Sequence, residues 1–344
     1  MKDYYEGNGK KQMNLEFYGK EFMTSIFKRR ILKITLTCLI LSVSLTGVLL
    51  AVDEGKSNLE NSYHVEDGKF TGVGNTSIYY RSYRSKNTAK PRVLLVQHGI
   101  GEHGGRYENL LEALAGKGYN VYLIDSRGHG KSEGDRGVIT DFNQFLSDLD
   151  QLIGIAKQKE GVSKVTLMGH SMGALIALFY AGDPRYQANL DRLVLSSLPI
   201  EVKTNFIAKV KKAMLGLIAG TSPSFTISTG LDAATLSRDE KAVAAYKNDP
   251  LVHDKAGAYL GDFILNSKEK ALEKASKINL PVYLFHGKED AVALSAGTEE
   301  AFAVIPSKDK TMKIYEGLFH ETMNELPQDR AQVLKDLVAW LASH

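Results

Sequence analysis

The stretch VTLMGHSMGALIAL, residues 165–178, decides the fold predicted for this chain. Within it, an apolar run leads into the pentapeptide GHSMG, and a second apolar run follows at once. This order is typical of a buried strand, a sharp turn and a helix, with Ser171 on the turn. Gly169 and Gly173 avoid side-chain clashes between strand and helix, and the helix N-terminus favours developing negative charge. Ser171 is therefore a candidate nucleophile, while a serine that only caps the helix fits the pentapeptide equally well.

Similar apolar runs of strand length recur along the chain, and helical patterns lie between them. Because the runs are apolar throughout, they suit a parallel sheet that is covered on both faces. Two β-like runs rich in Thr, Ile and Tyr come first and predict an antiparallel edge. The sequence thus predicts an α/β, doubly wound and mostly parallel sheet. The β-like runs lie at residues 68–73 and 77–84, the apolar runs at 93–97, 121–125, 165–169, 193–197, 282–286 and 313–315, and the helical patterns at 107–117, 141–157, 172–181 and 327–341.

One long interval interrupts this alternation. Residues 199–277 contain no clear strand. Within them the stretch NFIAKVKKAMLGLIAGTSP, residues 205–223, interleaves lysines with apolar residues. We therefore predict a helical cap inserted between the sixth and seventh strands.

A serine nucleophile needs a base and a carboxylate that orients the base, and both follow Ser171 at predicted strand ends. Asp290 lies in the loop after the run 282–286, and His320 lies just beyond the run 313–315. Of the nine histidines, His320 is the one that follows both Ser171 and Asp290 without being the last residue of the chain. This order predicts a Ser-His-Asp triad, with a turn role for Asp290 and a capping role for His320 as the alternatives.

The stretch QHGIGEHGGRY, residues 97–107, follows the first long apolar run. A loop there can bend a backbone N–H group toward the nucleophile, so the backbone of Ile100 is a candidate donor to an oxyanion. The backbone N–H of Met172, the residue after Ser171, is the second candidate. A simple turn at His98 and Gly99 is compatible with the same residues.

Composition excludes several other classes of protein. The chain has 344 residues and a net charge of +3, with 43% hydrophobic and 24% charged residues, as in ordinary globular proteins. Outside residues 28–33 there is no dense basic block, so we expect no nucleic-acid binding. The single cysteine, Cys38, excludes an internal disulfide and a cysteine-based zinc cluster. The chemistry expected of the triad needs no metal and no organic cofactor.

The N-terminal part differs from the rest of the chain. Residues 34–52, ITLTCLILSVSLTGVLLAV, carry no charge over about the length that spans a bilayer. Basic residues precede this segment and Asp53 and Glu54 follow it, which favours a cytoplasmic N-terminus and an exported C-terminal domain. We therefore predict a transmembrane signal anchor that holds the catalytic domain on the periplasmic or extracellular side. A cleaved signal peptide that starts at Met23 and releases a secreted domain is the main alternative, and a buried core helix is another.

These patterns divide the chain into four segments. We expect a basic cytoplasmic segment at residues 1–33, the anchor at 34–52, a linker at 53–66 and the catalytic domain at 67–344, with its cap at about 199–277.

Four motifs together resemble those of the monoacylglycerol lipase and lysophospholipase-like family of α/β-hydrolases, whose hydrolase domain is of the serine aminopeptidase S33 type. They are HGIGEH at residues 98–103 followed by Arg106 and Tyr107, DSRGHGKS at 125–132, GHSMG at 169–173 and YEGLFH at 315–320. The resemblance covers residues 67–342 and implies the α/β-hydrolase fold. It also implies a triad and an oxyanion hole, made by the residues Ser171, Asp290 and His320 and by the backbone amides of Ile100 and Met172.

The same resemblance places Glu102 and Arg106 near the substrate, and a structural ion pair between them is an equally good interpretation. Residues 125–132 fit a turn scaffold rather than a reagent. The chain departs from the family pattern in its N-terminal segment and in the divergent cap, and this leaves the choice of substrate open.

The resemblance implies a serine hydrolase that cleaves carboxylic esters, above all monoacylglycerol or lysophospholipid, through an acyl-enzyme. A serine hydrolase of short esters, thioesters or peptides is one alternative, and a catalytically silent, membrane-anchored binding module is another. The cap is either a lid whose apolar side accepts an acyl chain or docks at a lipid surface, or an ordinary helix packed on the core. The sequence predicts neither the head group nor the oligomeric state.

Overall fold

Eight strands form one central sheet in the computed structural model, which describes residues 59–88, 90–202 and 216–344. The strands of this sheet are β1 (Tyr63–Thr71), β2 (Ser77–Ser85), β3 (Arg92–Gln97), β4 (Tyr119–Ile124), β5 (Val165–His170), β6 (Leu190–Ser196), β9 (Val282–Gly287) and β10 (Lys310–Tyr315). Two short strands, β7 (Thr226–Ser228) and β8 (Lys255–Gly257), form a separate antiparallel pair. The order across the central sheet is β1-β2-β4-β3-β5-β6-β9-β10.

The pairing of the strands matches the predicted sheet. Strand β2 runs antiparallel to both β1 and β4, and the remaining neighbours pair in parallel. The predicted antiparallel edge and the mostly parallel sheet are therefore confirmed. Since the carboxyl ends of parallel strands meet at one edge, the loops after β3, β5, β6, β9 and β10 lie at the same side of the sheet.

Helices cover both faces of the sheet. They are α1 (Glu108–Leu114), α2 (Asn143–Glu160), α3 (Met172–Ala181), α4 (Pro184–Gln187), α7 (Lys268–Ala275), α8 (Ser295–Val304) and α9 (Pro327–Ser343), while α5 (Glu240–Asn248) and α6 (Ala258–Asn266) lie in the cap. Alternate residues of β3 face different layers. Leu95 packs with α2 and α3 in one apolar cluster, and Leu94 packs with α1 and α9 in the other. Burial on both faces is the reason why these strands read as continuous apolar runs.

The cap lies between β6 and β9, as predicted, but it is not free of strands. Strands β7 and β8 fall inside residues 199–277, where the sequence showed none. Each is three residues long, with sequences TIS and KAG, so neither is long enough to show an alternating pattern. Residues 203–215, which hold most of the stretch NFIAKVKKAMLGLIAGTSP, lie outside the described part of the chain.

Three strands begin at least three residues earlier in the chain than the sequence predicts. Strand β1 begins at Tyr63, so the last residues of the segment 53–66 belong to the sheet and not to a linker. Strands β6 and β10 begin at Leu190 and Lys310, three residues before the predicted starts. In β6 the polar pair Asp191 and Arg192 separates Leu190 from the apolar run, and β10 opens with Lys310 and Thr311, so these positions carry no continuous apolar signal.

The predicted anchor at residues 34–52 and the basic segment 1–33 lie outside the described residues. Among residues 59–88, 90–202 and 216–344, the structure contains no helix that is both long enough and apolar enough to span a bilayer.

Candidate active site

Ser171 lies on a tight turn between β5 and α3, as the pentapeptide predicts. Its backbone has φ 52° and ψ −124°, a conformation that is strained for any residue other than glycine. The N–H of Ser171 donates to the carbonyl oxygen of Ser196 at 2.9 Å, which ties the turn to the end of β6. Ser171 is the N-cap residue of α3, but its side chain makes no capping hydrogen bond to the helix, so the hydroxyl has no capping role in this structure.

The two glycines of the pentapeptide allow the close approach between strand, turn and helix. A Cβ atom on Gly169 would overlap the carbonyl oxygen of Gly173, and a Cβ atom on Gly173 would overlap the carbonyl oxygen of Gln97. Backbone atoms cannot move aside as a flexible side chain can. The turn that carries Ser171 therefore requires glycine at both positions.

Asp290 and His320 are hydrogen-bonded to each other at the same edge of the sheet. The Nδ1 atom of His320 lies 2.6 Å from Oδ2 of Asp290, and both residues are buried. The other carboxylate oxygen, Oδ1, accepts the backbone N–H groups of Val292 at 2.7 Å and Ala293 at 3.0 Å. These bonds fix the plane of the carboxylate, which in turn orients the imidazole ring.

Burial and neighbouring charges shift the pKa values of Asp290, His320 and His170 in different directions. Burial alone would raise the pKa of Asp290, but the charge of His320 and the hydrogen bonds from His286 and His320 outweigh it and hold this pKa well below its usual value. Burial alone would lower the pKa of His320, but the Asp290 carboxylate outweighs it and raises this pKa. His170, whose ring lies 5.0 Å from that of His320, has its pKa lowered to about 4 by burial. His170 is therefore neutral at pH 7.

Ser171 and His320 open onto one cavity of about 500 Å³. Its wall is largely apolar, and much of this apolar surface comes from the cap. The cap residues on the wall include Ile227, Leu231, Leu236, Ile264 and Leu265. A site of this kind can hold an apolar chain beside the serine.

The two predicted oxyanion donors line the same cavity. Met172 is the first residue of α3, where backbone N–H groups have no acceptor within the helix. The loop that carries Ile100 passes close to the serine, since a Cβ atom on Gly99 would lie 3.2 Å from Cβ of Ser171. Within the described part of the chain, neither the Ile100 amide nor the Met172 amide donates to a protein acceptor. Both groups are therefore available to a ligand.

Glu102 and Arg106 form an ion pair, which a third residue extends. Arg106 lies 2.8 Å from Oε2 of Glu102 and donates to both oxygens of Glu321, at 2.7 and 2.8 Å. Oε1 of Glu102 accepts the N–H of Gly99 at 2.7 Å. Burial would raise the pKa of Glu102, but the Arg106 charge outweighs it and lowers this pKa to about 2. The structural interpretation of the pair is thus supported, while Glu102 and Glu321 also line the cavity.

Residues 125–132 form a turn scaffold, as predicted. Asp125 accepts the backbone N–H groups of Gly104 and Lys131, each at 2.8 Å, and so links this turn to the loop after β3.

The structure brings further residues to the site that the sequence analysis missed. Glu321 follows His320 directly, and its acidic side chain next to a candidate base was the one available signal. The Ser197 hydroxyl donates to the carbonyl oxygen of His320 at 2.7 Å, and Ser197 has a positive φ of 51°. His286 contacts Asp290 from behind at 2.9 Å.

The cap also touches the loop after β3. His103 lies 2.8 Å from Asp249 of the cap, and the N–H of His253 donates to the carbonyl oxygen of Gly101 at 2.9 Å. The ring of Tyr246 lies 4.6 Å from the Arg106 guanidinium carbon. These contacts join the cap to the loop that carries Ile100.

Comparisons with known proteins identify the relatives of the chain. The family model described as serine aminopeptidase S33 matches residues 88–327. A monoacylglycerol lipase from Mycolicibacterium smegmatis is 32% identical over 276 residues, which cover 80% of this chain and 96% of that protein. The human monoglyceride lipase is 34% identical over 264 residues, covering 75% of this chain and 84% of that one.

A solved structure supports the same relationship. The crystal structure of the monoacylglycerol lipase from Paleococcus ferrophilus superposes with a TM-score of 0.68 at 30% sequence identity. The match covers 82% of this chain and 99% of that chain.

Proposed function

Because the chain belongs to the serine aminopeptidase S33 family and is a carboxylic-ester hydrolase of the α/β-hydrolase fold, we propose that it cleaves monoacyl lipid esters, either monoacylglycerol or lysophospholipid. One observation carries this proposal. Ser171, on its strained turn, and His320, hydrogen-bonded to Asp290, line one largely apolar cavity.

In the proposed mechanism Ser171 is the nucleophile and His320 the general base. His320 takes the proton of the Ser171 hydroxyl as Oγ attacks the ester carbonyl, and Asp290 stabilises the imidazolium that forms. The amides of Ile100 and Met172 stabilise the oxyanion of the tetrahedral intermediate. His320 then gives the proton to the leaving alcohol, and water hydrolyses the acyl-enzyme by the same steps in a second half-reaction.

The residues that line the cavity fit an uncharged acyl group better than an aminoacyl group. An aminopeptidase needs a free carboxylate for the ammonium group of its substrate. Of the three acidic residues on the wall, Glu102 and Glu321 both bind Arg106, and the exposed Asp232 of the cap accepts the backbone N–H of Ala234. The apolar cap surface and the names of the relatives, monoacylglycerol lipase and monoglyceride lipase, favour a lipid chain instead.

A substrate panel tests the proposed function. Monoacylglycerols and lysophospholipids of several chain lengths are compared with short soluble esters, a thioester and aminoacyl amides. We expect the highest kcat/KM for a monoacyl lipid. Faster turnover of the short esters, the thioester or the amides would contradict the lipid assignment and identify the substrate class instead. No turnover of any substrate would favour a catalytically silent binding module.

We expect kcat/KM to fall as the pH is lowered, because the base must be neutral to accept the Ser171 proton. Asp290 raises the pKa of His320, so the acid limb should lie above the usual histidine value of about 6.5. Burial lowers the pKa of His170 to about 4, so His170 is already neutral in this pH range and should not add a second ionisation to the profile of kcat/KM. The measurement is the pH profile of kcat/KM for a soluble ester, and a limb well below pH 6 would contradict the assignment of His320.

We also propose that the cap docks at a lipid surface. Leu217 is 74% exposed and Phe225 54% exposed, and both lie in the cap. Residues 206–215, which the sequence also implicates, lie outside the described part of the chain. The docking proposal therefore rests on Leu217 and Phe225.

Replacing both Leu217 and Phe225 by serine should weaken vesicle binding of a chain that starts at Asp53. Each side chain would contribute about 1.5–3 kcal/mol when buried in lipid, so the loss of both should weaken binding at least about a hundredfold. Val304→Ser, at a residue that is 41% exposed and lies outside the cap, is the matched control. Equal vesicle binding by the double variant and the control variant would refute docking through this surface.

From the sequence alone we further propose that residues 34–52 anchor the protein in a membrane, with the catalytic domain on the exported side.

A further inference from the structure

A second histidine lies directly behind Asp290. His286 is the fifth residue of β9 and is fully buried. Its Nε2 atom lies 2.9 Å from Oδ2 of Asp290 and 3.0 Å from the carbonyl oxygen of Ala293. Its Nδ1 atom lies 2.7 Å from the hydroxyl oxygen of Thr298, which is also fully buried. All of its polar contacts are therefore made inside the protein.

These partners determine which nitrogen of His286 carries a proton. The Asp290 carboxylate and the Ala293 carbonyl only accept hydrogen bonds, so Nε2 must carry the proton that it shares between them. The Thr298 hydroxyl can donate to Nδ1 and so fixes this tautomer.

The two carboxylate oxygens of Asp290 therefore have different hydrogen-bond partners. Oδ1 accepts the backbone amides of its own loop, while Oδ2 accepts from His286 at 2.9 Å and from His320 at 2.6 Å. The oxygen that orients His320 is thus the oxygen that His286 holds.

We propose that His286 is a positioning residue, which fixes the Asp290 carboxylate and shares its Oδ2 atom with His320. This inference rests on the proposed function, in which Asp290 orients the base. Removing the His286 donor should leave the carboxylate freer to rotate. It should also leave more negative charge on Oδ2, which stabilises the imidazolium form of His320.

Other charged and titratable groups around His320 come from three elements and stay in place in this test. Glu321 is its neighbour in the chain, Glu102 and Arg106 lie in the loop after β3, and His170 ends β5. None of them contacts His286 within hydrogen-bonding distance in the described part of the chain. A change in His320 on substitution of His286 is therefore expected to act through Asp290.

The experiment compares His286→Leu with His286→Gln in the full chain. Leucine removes the donor, whereas the glutamine amide nitrogen can reach Asp290 and donate in its place. For His286→Leu we expect kcat to fall about tenfold with KM within about twofold, because orientation is lost and ground-state binding is not. We expect the acid limb of kcat/KM to move up by about one pH unit. His286→Gln should restore both values most of the way.

A spectroscopic measurement separates this inference from the proposed function. Titration of the ¹³C-labelled histidine rings by NMR reports the pKa of His320 without any turnover, and it should rise in His286→Leu. If no substrate is turned over, the proposed function fails while the NMR titration still tests His286. An unmoved His320 titration, or a loss of activity that only follows a loss of thermal stability, would overturn the inference.

Thr298→Val provides a second variant in case His286→Leu does not fold. Without the hydroxyl, Nδ1 of His286 loses its partner and the ring is held only through Nε2, so His286 should hold the Oδ2 atom of Asp290 less firmly. We expect a smaller shift of the His320 titration in the same direction. No shift in this variant would also count against the inference.

Discussion

Ser171→Ala should lower kcat for monoacylglycerol by about 10⁶-fold, the scale seen when a triad serine is removed. The remaining rate would come from binding and from the oxyanion donors, which the substitution leaves intact. We expect little change in folding, because the Ser171 side chain makes no capping hydrogen bond and alanine is smaller. The measurement is kcat and KM of the wild type and the variant with the same substrate preparation.

Ser307→Ala is the matched control for this substitution. Ser307 is also buried, but it bonds only to the backbone of Asp309 and does not line the cavity. We expect its activity to stay within about twofold of wild type, as for changes outside the site. A Ser171→Ala variant with activity close to that of Ser307→Ala would show that another residue is the nucleophile.

The second large effect is expected for Asp290→Asn, which should lower kcat by about 10⁴-fold. The amide of asparagine offers a donor where His320 needs an acceptor, so the imidazole adopts the wrong tautomer and cannot act as the base. The loop should survive, since the amide oxygen can still accept the N–H groups of Val292 and Ala293. The measurement is kcat together with thermal stability.

Asp150→Asn is the control for the loss of a carboxylate. Asp150 accepts hydrogen bonds from Tyr180 and Asn189, away from the cavity. Its substitution should affect stability more than kcat. If Asp290→Asn retained more than about a tenth of the wild-type kcat, the proposed role of Asp290 in orienting the base would be wrong.

The parts of the fold that the sequence predicted are those with a local signal. The central parallel strands β4, β5 and β9 are buried along their whole length, so each reads as a mainly apolar run. Helix α3 begins at Met172 and ends at Ala181, as predicted, because GHSMG marks its start and its residues are apolar throughout. The order of Ser171, Asp290 and His320 at strand ends placed three distant residues at one edge of a parallel sheet.

The parts that the sequence missed depend on contacts between distant single side chains. Ser197 holds the carbonyl of His320 across 123 positions of the chain, and His103 meets Asp249 across 146. Such pairs leave no periodic pattern in the sequence. His286 is missed for another reason, since it ends an apolar run and reads as part of the strand. Only the fold shows that its ring contacts Asp290.

The site also explains why the sequence fits two interpretations of Glu102 and Arg106, a structural ion pair and a contact to the substrate. Arg106 is almost completely buried between Glu102 and Glu321. A buried cation requires such partners, because an unpaired charge in the interior is strongly destabilising. The same carboxylates lie on the cavity wall, so one sequence pattern fits both interpretations.

The measurement that tests the central claim most directly is mapping of a fluorophosphonate adduct on the full chain, with monoacylglycerol turnover followed in the same sample. The account predicts a single adduct on Ser171 and a loss of turnover in proportion to the labelled fraction. A stable adduct on another residue, or full turnover by protein that is completely labelled at Ser171, would contradict it.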